Sequence, residues 1–331
     1  MIIAEIGLSH EGSLGLAHSY IDALADKGID VIKFQTHIAE AESSEFEKFR
    51  IKFSKQDKTR FDYWKRTEFT KSEWQSLKSH CDELGLEFMS TPTCIKSVDM
   101  LEDLNVSRYK VGSGDLLNYL LLKRLAHTKK PIILSTGMSS FEEIHCAVSF
   151  LKDFKNPIKL LQCTSKYPTE PNDWGFNVIQ ELKDKFKLPV GFSDHSGLIY
   201  PLLSAATLGA EIFEFHVVFD KRQFGPDVSS SITIDQVKIL TDGIRQIQSS
   251  INCPVNKNKI DEFKHLRELF GKSLALNKNK KAGEKINFDD LESKKPAGYG
   301  ISAQQFESVI GKKLNRPLKK WSFINWEDID P

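Results

Sequence analysis

Residues 188–231 read LPVGFSDHSGLIYPLLSAATLGAEIFEFHVVFDKRQFGPDVSSS, and this stretch sets how the rest of the chain is read. Two short apolar runs, 189–193 and 211–215, have the length of buried strands. A histidine follows each run, His195 and His216, and the two are 216 − 195 = 21 residues apart. Between them, segment 202–208 is apolar, rich in small residues and reads as a helix. Strand, helix, strand is a crossover joining two parallel strands, so both imidazoles are expected at the same end of a sheet. Two neutral imidazoles at such a mouth suit a divalent transition metal, with positions left for water and substrate oxygen. Two unrelated polar residues on a rim are the plainer alternative.

Working outward, the same beat recurs. Strands are expected at 2–6, 31–35, 87–90, 108–111, 131–135 and 158–162. Helices are expected after Gly12, then near 71–84, 95–104, 119–126, 141–150, 175–183 and 234–247, the last with Thr233 as N-cap. Eight strand-helix pairs inside about 250 residues is the rhythm of a (β/α)8 or TIM barrel, with an open doubly wound sheet as the alternative. Polar residues stand at the carboxyl ends of these strands: Glu5, Lys33, Thr91, Lys110, Ser135, Gln162, Ser193, His195 and His216. Barrel enzymes carry their chemistry at that end. Residues 37–70 are polar with interleaved aromatics and too long for a plain connector, so a loop with its own short helices is expected, as a lid or a subunit contact.

Composition narrows the classes of partner. Lys and Arg number 46 against 45 Asp and Glu, so the overall balance favours neither nucleic acid nor a membrane surface, and an anionic ligand must be caught by local charges. The five cysteines are scattered, odd in number and lack paired spacing, which reads as reduced thiols in a cytoplasmic protein and not as a zinc-cysteine site. The opening MIIAEIG is expected to be a first strand rather than a signal peptide, and no run approaches a membrane span.

The barrel is expected over 1–250, a linker over 251–268 and a second domain over 269–331. Within that second domain Gly271-Lys272 and the later INFDDL are echoed by Gly311-Lys312 and INWEDI, a repeat of about 40 residues. So small a module has a marginal core and is expected to dock on a barrel.

Lys33 in KFQTH, Lys110 in YKVGSGD, Ser135 in STGMSS and the STPT of Ser90 and Thr91 combine cations, hydroxyls and exposed amides. Such a set holds a phosphate and a carboxylate. Glu5 ends an apolar strand, so it is either paired with a lysine or poised for proton transfer.

Taken in order, AEIGLSHEGS, KFQTH, STPT, YKVGSGD, PIILSTGMSS, LQCTSKYPT, VGFSDHSG and FEFHVVFDKRQFGPD resemble the sialic acid synthase family. The C-terminal repeat resembles that family's antifreeze-like (SAF) domain. The resemblance implies condensation of phosphoenolpyruvate with an N-acylated amino-sugar, by attack of C3 on a polarised aldehyde, capture of C2 by water and loss of phosphate through C–O cleavage. It makes His195 and His216 ligands of a divalent cation, manganese first, with magnesium or cobalt as alternatives, and Glu5 a proton-transfer group. Lys33, Thr91, Lys110, Ser113, Ser135, Tyr167 and Ser193 would bind phosphoenolpyruvate, and Gln35 and Asp227 would contact the sugar or the metal's water. A homodimer with exchanged C-terminal domains is implied as well.

Three positions depart from the family pattern. Ser165 stands where asparagine is usual and Asp115 where glutamate is frequent. Lys295 stands where the antifreeze-like domain commonly offers arginine to the sugar's acyl group, and lysine lacks that planar fork. The acceptor pocket is therefore expected to differ while the donor site is kept, which leaves legionaminic and pseudaminic acid precursors beside N-acetylmannosamine. A metal-dependent pyruvate aldolase is a second enzyme reading, and a carbohydrate- or ice-binding scaffold a non-enzymatic one.

Overall fold

The computed structural model describes residues 1–51 and 53–331. Eight parallel strands run β1 (Ile2–Gly7), β2 (Val31–Thr36), β3 (Glu87–Pro92), β4 (Tyr109–Val111), β5 (Ile132–Ser135), β6 (Ile158–Cys163), β7 (Val190–Asp194) and β8 (Phe213–Val218). Each pairs with the next, and β1 also pairs with β8, Glu5 lying beside His216, so the sheet closes into the expected barrel. A short strand, β9 (Ser231–Thr233), adds to β8.

The barrel forms because two apolar layers can be buried at once. Outside, the strands meet amphipathic helices. Helix Leu14–Leu24 buries Ala17, Tyr20, Ile21 and Leu24, the spacing of a single helical face, and starts where Ser13 accepts a bond from the Leu16 amide at 3.2 Å. Helix Lys71–Glu83 opens with a capping box in which Thr70 and Glu73 bond each other's backbone amides. Each buried Leu or Ile of this outer core contributes roughly 1.5–3 kcal/mol.

Inside, Ile3, Val31, Met89, Ile133, Leu161 and Ile212 form a separate apolar floor. Gly191 belongs there by necessity, since a Cβ would lie 2.4 Å from the Ile212 carbonyl oxygen and 2.6 Å from Leu161 Cδ2. Side chains alternate along a strand, so two residues beyond this floor the next inward positions are Glu5, Lys33, Thr91, Ser135, Cys163, Ser193 and Glu214. The strand period thus stacks a polar layer on an apolar one.

Residues 37–70 do contain short helices, Ala39–Glu42 and Arg60–Thr67. They pack through Ala39, Tyr63 and Trp64 on Leu8, with Phe49, Phe53 and Phe61 against that cluster. No helix among the described residues is long and apolar enough to cross a membrane.

The chain divides into two units, Met1–Cys253 and Pro254–Pro331. In the second, residues 264–270, within the expected linker and its boundary, form helix Lys264–Phe270, followed by the hairpin β10 (Ser273–Leu276) and β11 (Leu291–Lys294). The sequence echo is a structural one: Asn277 and Asn315 donate backbone amides to the Asp290 and Asp328 carbonyls at 2.9 and 2.8 Å. Lys278 and Arg316 hold the same two aspartates' carboxylates. The core of this unit is only Leu274, Leu276, Ile286, Ile301, Val309, Leu314, Ile324 and Ile329 with a few flanking residues.

Candidate active site

A cavity of about 360 Å3 opens at the carboxyl ends of the barrel strands. Of the residues singled out in the sequence, Glu5, Lys33, Gln35, Thr91, Lys110, Ser113, Asp115, Ser135, Ser165, Tyr167, Ser193, His195 and His216 all line it. Asp227 reaches it through Arg50, itself a lining residue, whose Nη2 is 2.7 Å from Asp227 Oδ1. Lys295 belongs to the second unit, where its ammonium lies 4.9 Å from the centre of the Phe270 ring.

The floor of the cavity is a buried charge lattice. Lys33 Nζ lies 2.6 Å from Glu5 Oε2 and 3.9 Å from Glu214 Oε1, and donates to Thr91 Oγ1 at 3.1 Å. Lys110 Nζ lies 3.5 Å from the same Glu214 oxygen and donates to Ser135 Oγ at 2.7 Å. Gln35 donates to Glu5 Oε1 at 2.8 Å, and Ser193 to Glu214 Oε1 at 3.3 Å. Of the two roles open to Glu5, the structure shows the pairing with lysine directly.

The two lysines are not equally compensated. Burial works against the charge on both, but the nearby Glu5 and Glu214 carboxylates hold Lys33 above the usual lysine range. Lys110 has one carboxylate, farther off, and burial leaves it below that range. Glu214, despite its burial, is pushed down to about 2 by Lys110 and Lys33. Lys110 is therefore the cation that an incoming anion relieves most.

Above this lattice stand the two imidazoles, ring centres 5.4 Å apart. His216 is not beyond its strand, as the sequence suggested, but its fourth residue. The strand runs on because Val217 and Val218 are buried and pair with β9. Burial keeps the His216 ring below the usual histidine range, hence neutral, and its Nδ1 is buried with no hydrogen-bond partner among the described residues. His195 Nδ1 donates to the Thr164 carbonyl at 3.0 Å, which leaves Nε2 for a ligand. Burial disfavours charge on His195 too, but attraction to the Cys163 sulfur in its thiolate form, 3.8 Å from Nδ1, and the Thr164 carbonyl hold it above the usual histidine range. A metal there must displace a proton. Among the described residues no group of three or more His, Cys, Asp or Glu converges on one point, so a cation held here would have the two imidazoles as its protein donors and water or substrate for the rest. An orphaned buried ring nitrogen beside an oriented second ring fits a divalent cation of intermediate softness.

Hydroxyls and amides complete the wall. Gly137 donates its amide to Ser113 Oγ at 3.1 Å, and a Cβ at Gly137 would sit 2.4 Å from Ser165 Oγ and 2.7 Å from Ser113 Oγ, so any side chain there would turn both hydroxyls out of place. Burial raises Asp115, with Asn118 opposing through a hydrogen bond at 3.0 Å.

Sequence reasoning passed over Glu214, Arg50, Thr93, Met138 and Cys163 among the lining residues. Glu214 was legible in principle, because Ile212, Glu214 and His216 alternate and one charged residue interrupts an apolar run. Arg50 carried no periodic signal at all.

Residues 20–256 match the NeuB family. The chain belongs to the NeuB family. Its members are synthases that condense phosphoenolpyruvate with a sugar, and this chain is such a transferase. The N,N'-diacetyllegionaminic acid synthase of Campylobacter jejuni is 36% identical over 98% of both chains. The pseudaminic acid synthase of the same species is 32% identical over 96% of this chain and 93% of that one. Among solved structures, the N-acetylneuraminic acid (sialic acid) synthetase of Leptospira borgpetersenii, crystallised with citrate, is 34% identical, covers 80% of this chain and 90% of its own, and superposes with a TM-score of 0.72.

Proposed function

We propose that the chain condenses phosphoenolpyruvate with an N-acylated amino-sugar to a nonulosonic acid, releasing phosphate by C–O cleavage. The observation that carries this reading is the pair of buried lysines, one fully and one partly compensated, beneath two imidazoles. Lys110, with Ser135 beside it, takes an anionic group of the donor. Lys33 stays bound to Glu5 and keeps that carboxylate in place. Glu5, also held by Gln35, accepts the proton of the water that captures C2. His195 and His216 would hold a divalent cation, manganese first, which when bound supplies Lewis-acid polarisation of the acceptor aldehyde. The buried walls exclude bulk water and strengthen each of these interactions.

The acceptor is a bacterial sugar related to N-acetylmannosamine and of the kind that leads to legionaminic acid. The Campylobacter relative's name and the altered residues Ser165, Asp115 and Lys295 support this. The second unit acts as an antifreeze-like domain that closes the partner's mouth in an exchanged homodimer, as its small core and the sequence echo suggest. Free cysteines suit a reducing, cytoplasmic setting.

The test uses metal-free full-length protein, phosphoenolpyruvate labelled with 18O at the bridging oxygen, and a panel of mannosamine-type and diacylated acceptors. Manganese should restore phosphate release, with the label in phosphate. Product formed when pyruvate replaces phosphoenolpyruvate, with no phosphate released, would favour the aldolase reading, and full turnover by verified metal-free protein would remove the histidine assignment. For the exchanged dimer, mixing Lys295→Ala with His195→Gln chains should restore activity, because the intact His195 barrel receives an unmodified Lys295. No recovery after demonstrated subunit exchange refutes it.

A further inference from the structure

We propose that Arg50, delivered by segment 37–70, is an acceptor-binding and positioning residue at the mouth, an inference that rests on the synthase reading above. Its guanidinium carbon lies 3.9 Å from the centre of the Tyr167 ring. Tyr167 also stacks on His195, ring centres 4.1 Å apart and planes 30° apart. Two planar groups at that distance cannot share one face of a ring, so Tyr167 is held between Arg50 and His195. Arg50 Nη2 donates to Asp227 Oδ1 at 2.7 Å and to the Pro226 carbonyl at 3.1 Å. One side chain thereby fixes Tyr167 after β6 and Asp227 after β8.

The segment is built to hold it there. Arg66 donates to both carboxylate oxygens of Asp57 at 2.9 Å and to Glu11 Oε2 at 3.0 Å, which ties one end of the segment to the barrel's first loop. Trp64 Nε1 donates to Glu47 Oε2 at 2.9 Å, close to Arg50 in the chain. Stability does not explain Arg50 itself: its side chain is 40% exposed, and half-exposed ion pairs contribute little. All its hydrogen bonds to described residues use Nη2, so the other donors of a rigid, planar fork are uncommitted on a residue that lines the cavity. A planar cation of this kind recognises a carbonyl oxygen with neighbouring hydroxyls, which is the acyl-amino side of the acceptor. The donor anion belongs instead to Lys110 on the floor.

Initial-rate kinetics on full-length Arg50→Gln and Arg50→Lys, with folding checked by thermal melting, test the assignment. Arg50→Gln should raise the acceptor KM at least tenfold and leave the phosphoenolpyruvate KM within twofold. Arg50→Lys, keeping charge without the fork, should recover only part. In a cycle with Asp227→Asn, the double variant should be worse for the acceptor than Asp227→Asn alone, because Arg50 also contacts substrate. An unchanged acceptor KM, or parallel loss for both substrates, overturns the inference while wild-type turnover still supports the synthase reading. Absence of wild-type turnover with every acceptor removes that reading, and this inference with it.

Discussion

Replacing Glu214 by glutamine removes the shared counter-charge of the two lysines without changing side-chain volume. The carboxylate lies 3.5 Å from Lys110 and 3.9 Å from Lys33. At an effective dielectric constant of 20 each attraction is worth about 4–5 kcal/mol before desolvation is counted. Lys33 keeps Glu5 after the change, but Lys110 is left with Ser135 and the Val111 carbonyl, 3.5 Å away. Breaking a buried pair in this way costs about 3–5 kcal/mol. For a unit of this size the melting temperature should fall by roughly 6 °C or more. Binding should move in the opposite direction. The polar floor gains a net positive charge, so phosphoenolpyruvate should bind about tenfold tighter, equivalent to about 1.4 kcal/mol. Calorimetric titration with phosphoenolpyruvate alone, and melting with and without it, measure both effects. Saturating donor should restore the variant's melting temperature by more than it raises that of the wild type. Weaker donor binding would show that Glu214 is a ligand-orienting group, acting through Ser193, and not a counter-charge. Unchanged stability and affinity would show that the pair carries no charge interaction at all.

Lys110→Met should raise the phosphoenolpyruvate KM at least tenfold in initial-rate kinetics, whereas Lys33→Met, which leaves both Glu5 and Glu214 short of a partner, should mainly lower the melting temperature; the reverse ranking would contradict the unequal compensation. His10 is buried, stacks on Phe69 with ring centres 4.5 Å apart and accepts from the Gly12 amide through Nδ1 at 3.1 Å. Burial first, then the charges of His37 and Arg66, pull its pKa from 6.5 to about 3. The unfolded chain therefore binds a proton that the folded one refuses: this stability is complete above about pH 6.5 and is lost as pH falls toward about 3, with about 2 kcal/mol gone at pH 5. His10→Asn, whose amide oxygen can take over the Gly12 bond, should flatten denaturant-measured stability over that window, and an unchanged slope would assign the acid sensitivity elsewhere.

The barrel and most of its mouth were legible from local pattern alone. A strand shows one face every second residue, so apolar runs ending in Lys33, Thr91, Ser135 or Ser193 announce both the strand and the polar layer above its floor. His195 and His216 were placed side by side by the handedness and length of one crossover. These are short-range facts of chain geometry, written into consecutive residues. Charge compensation is not written that way. Whether Lys33 or Lys110 is free to meet an anion depends on distances to Glu5 and Glu214, groups brought in from β1 and β8 when the sheet closes. In a buried, weakly screening interior, an ångström between partners decides that balance. Arg50 depends still more on tertiary structure: it lies in a segment without periodicity and gains its place only because Arg66 and the aromatic cluster fix the segment beside Tyr167 and Asp227. Sequence determined most of the strand-borne residues that share the mouth, and the tertiary structure alone decided that Arg50 joins them and which of their charges are already spent on one another.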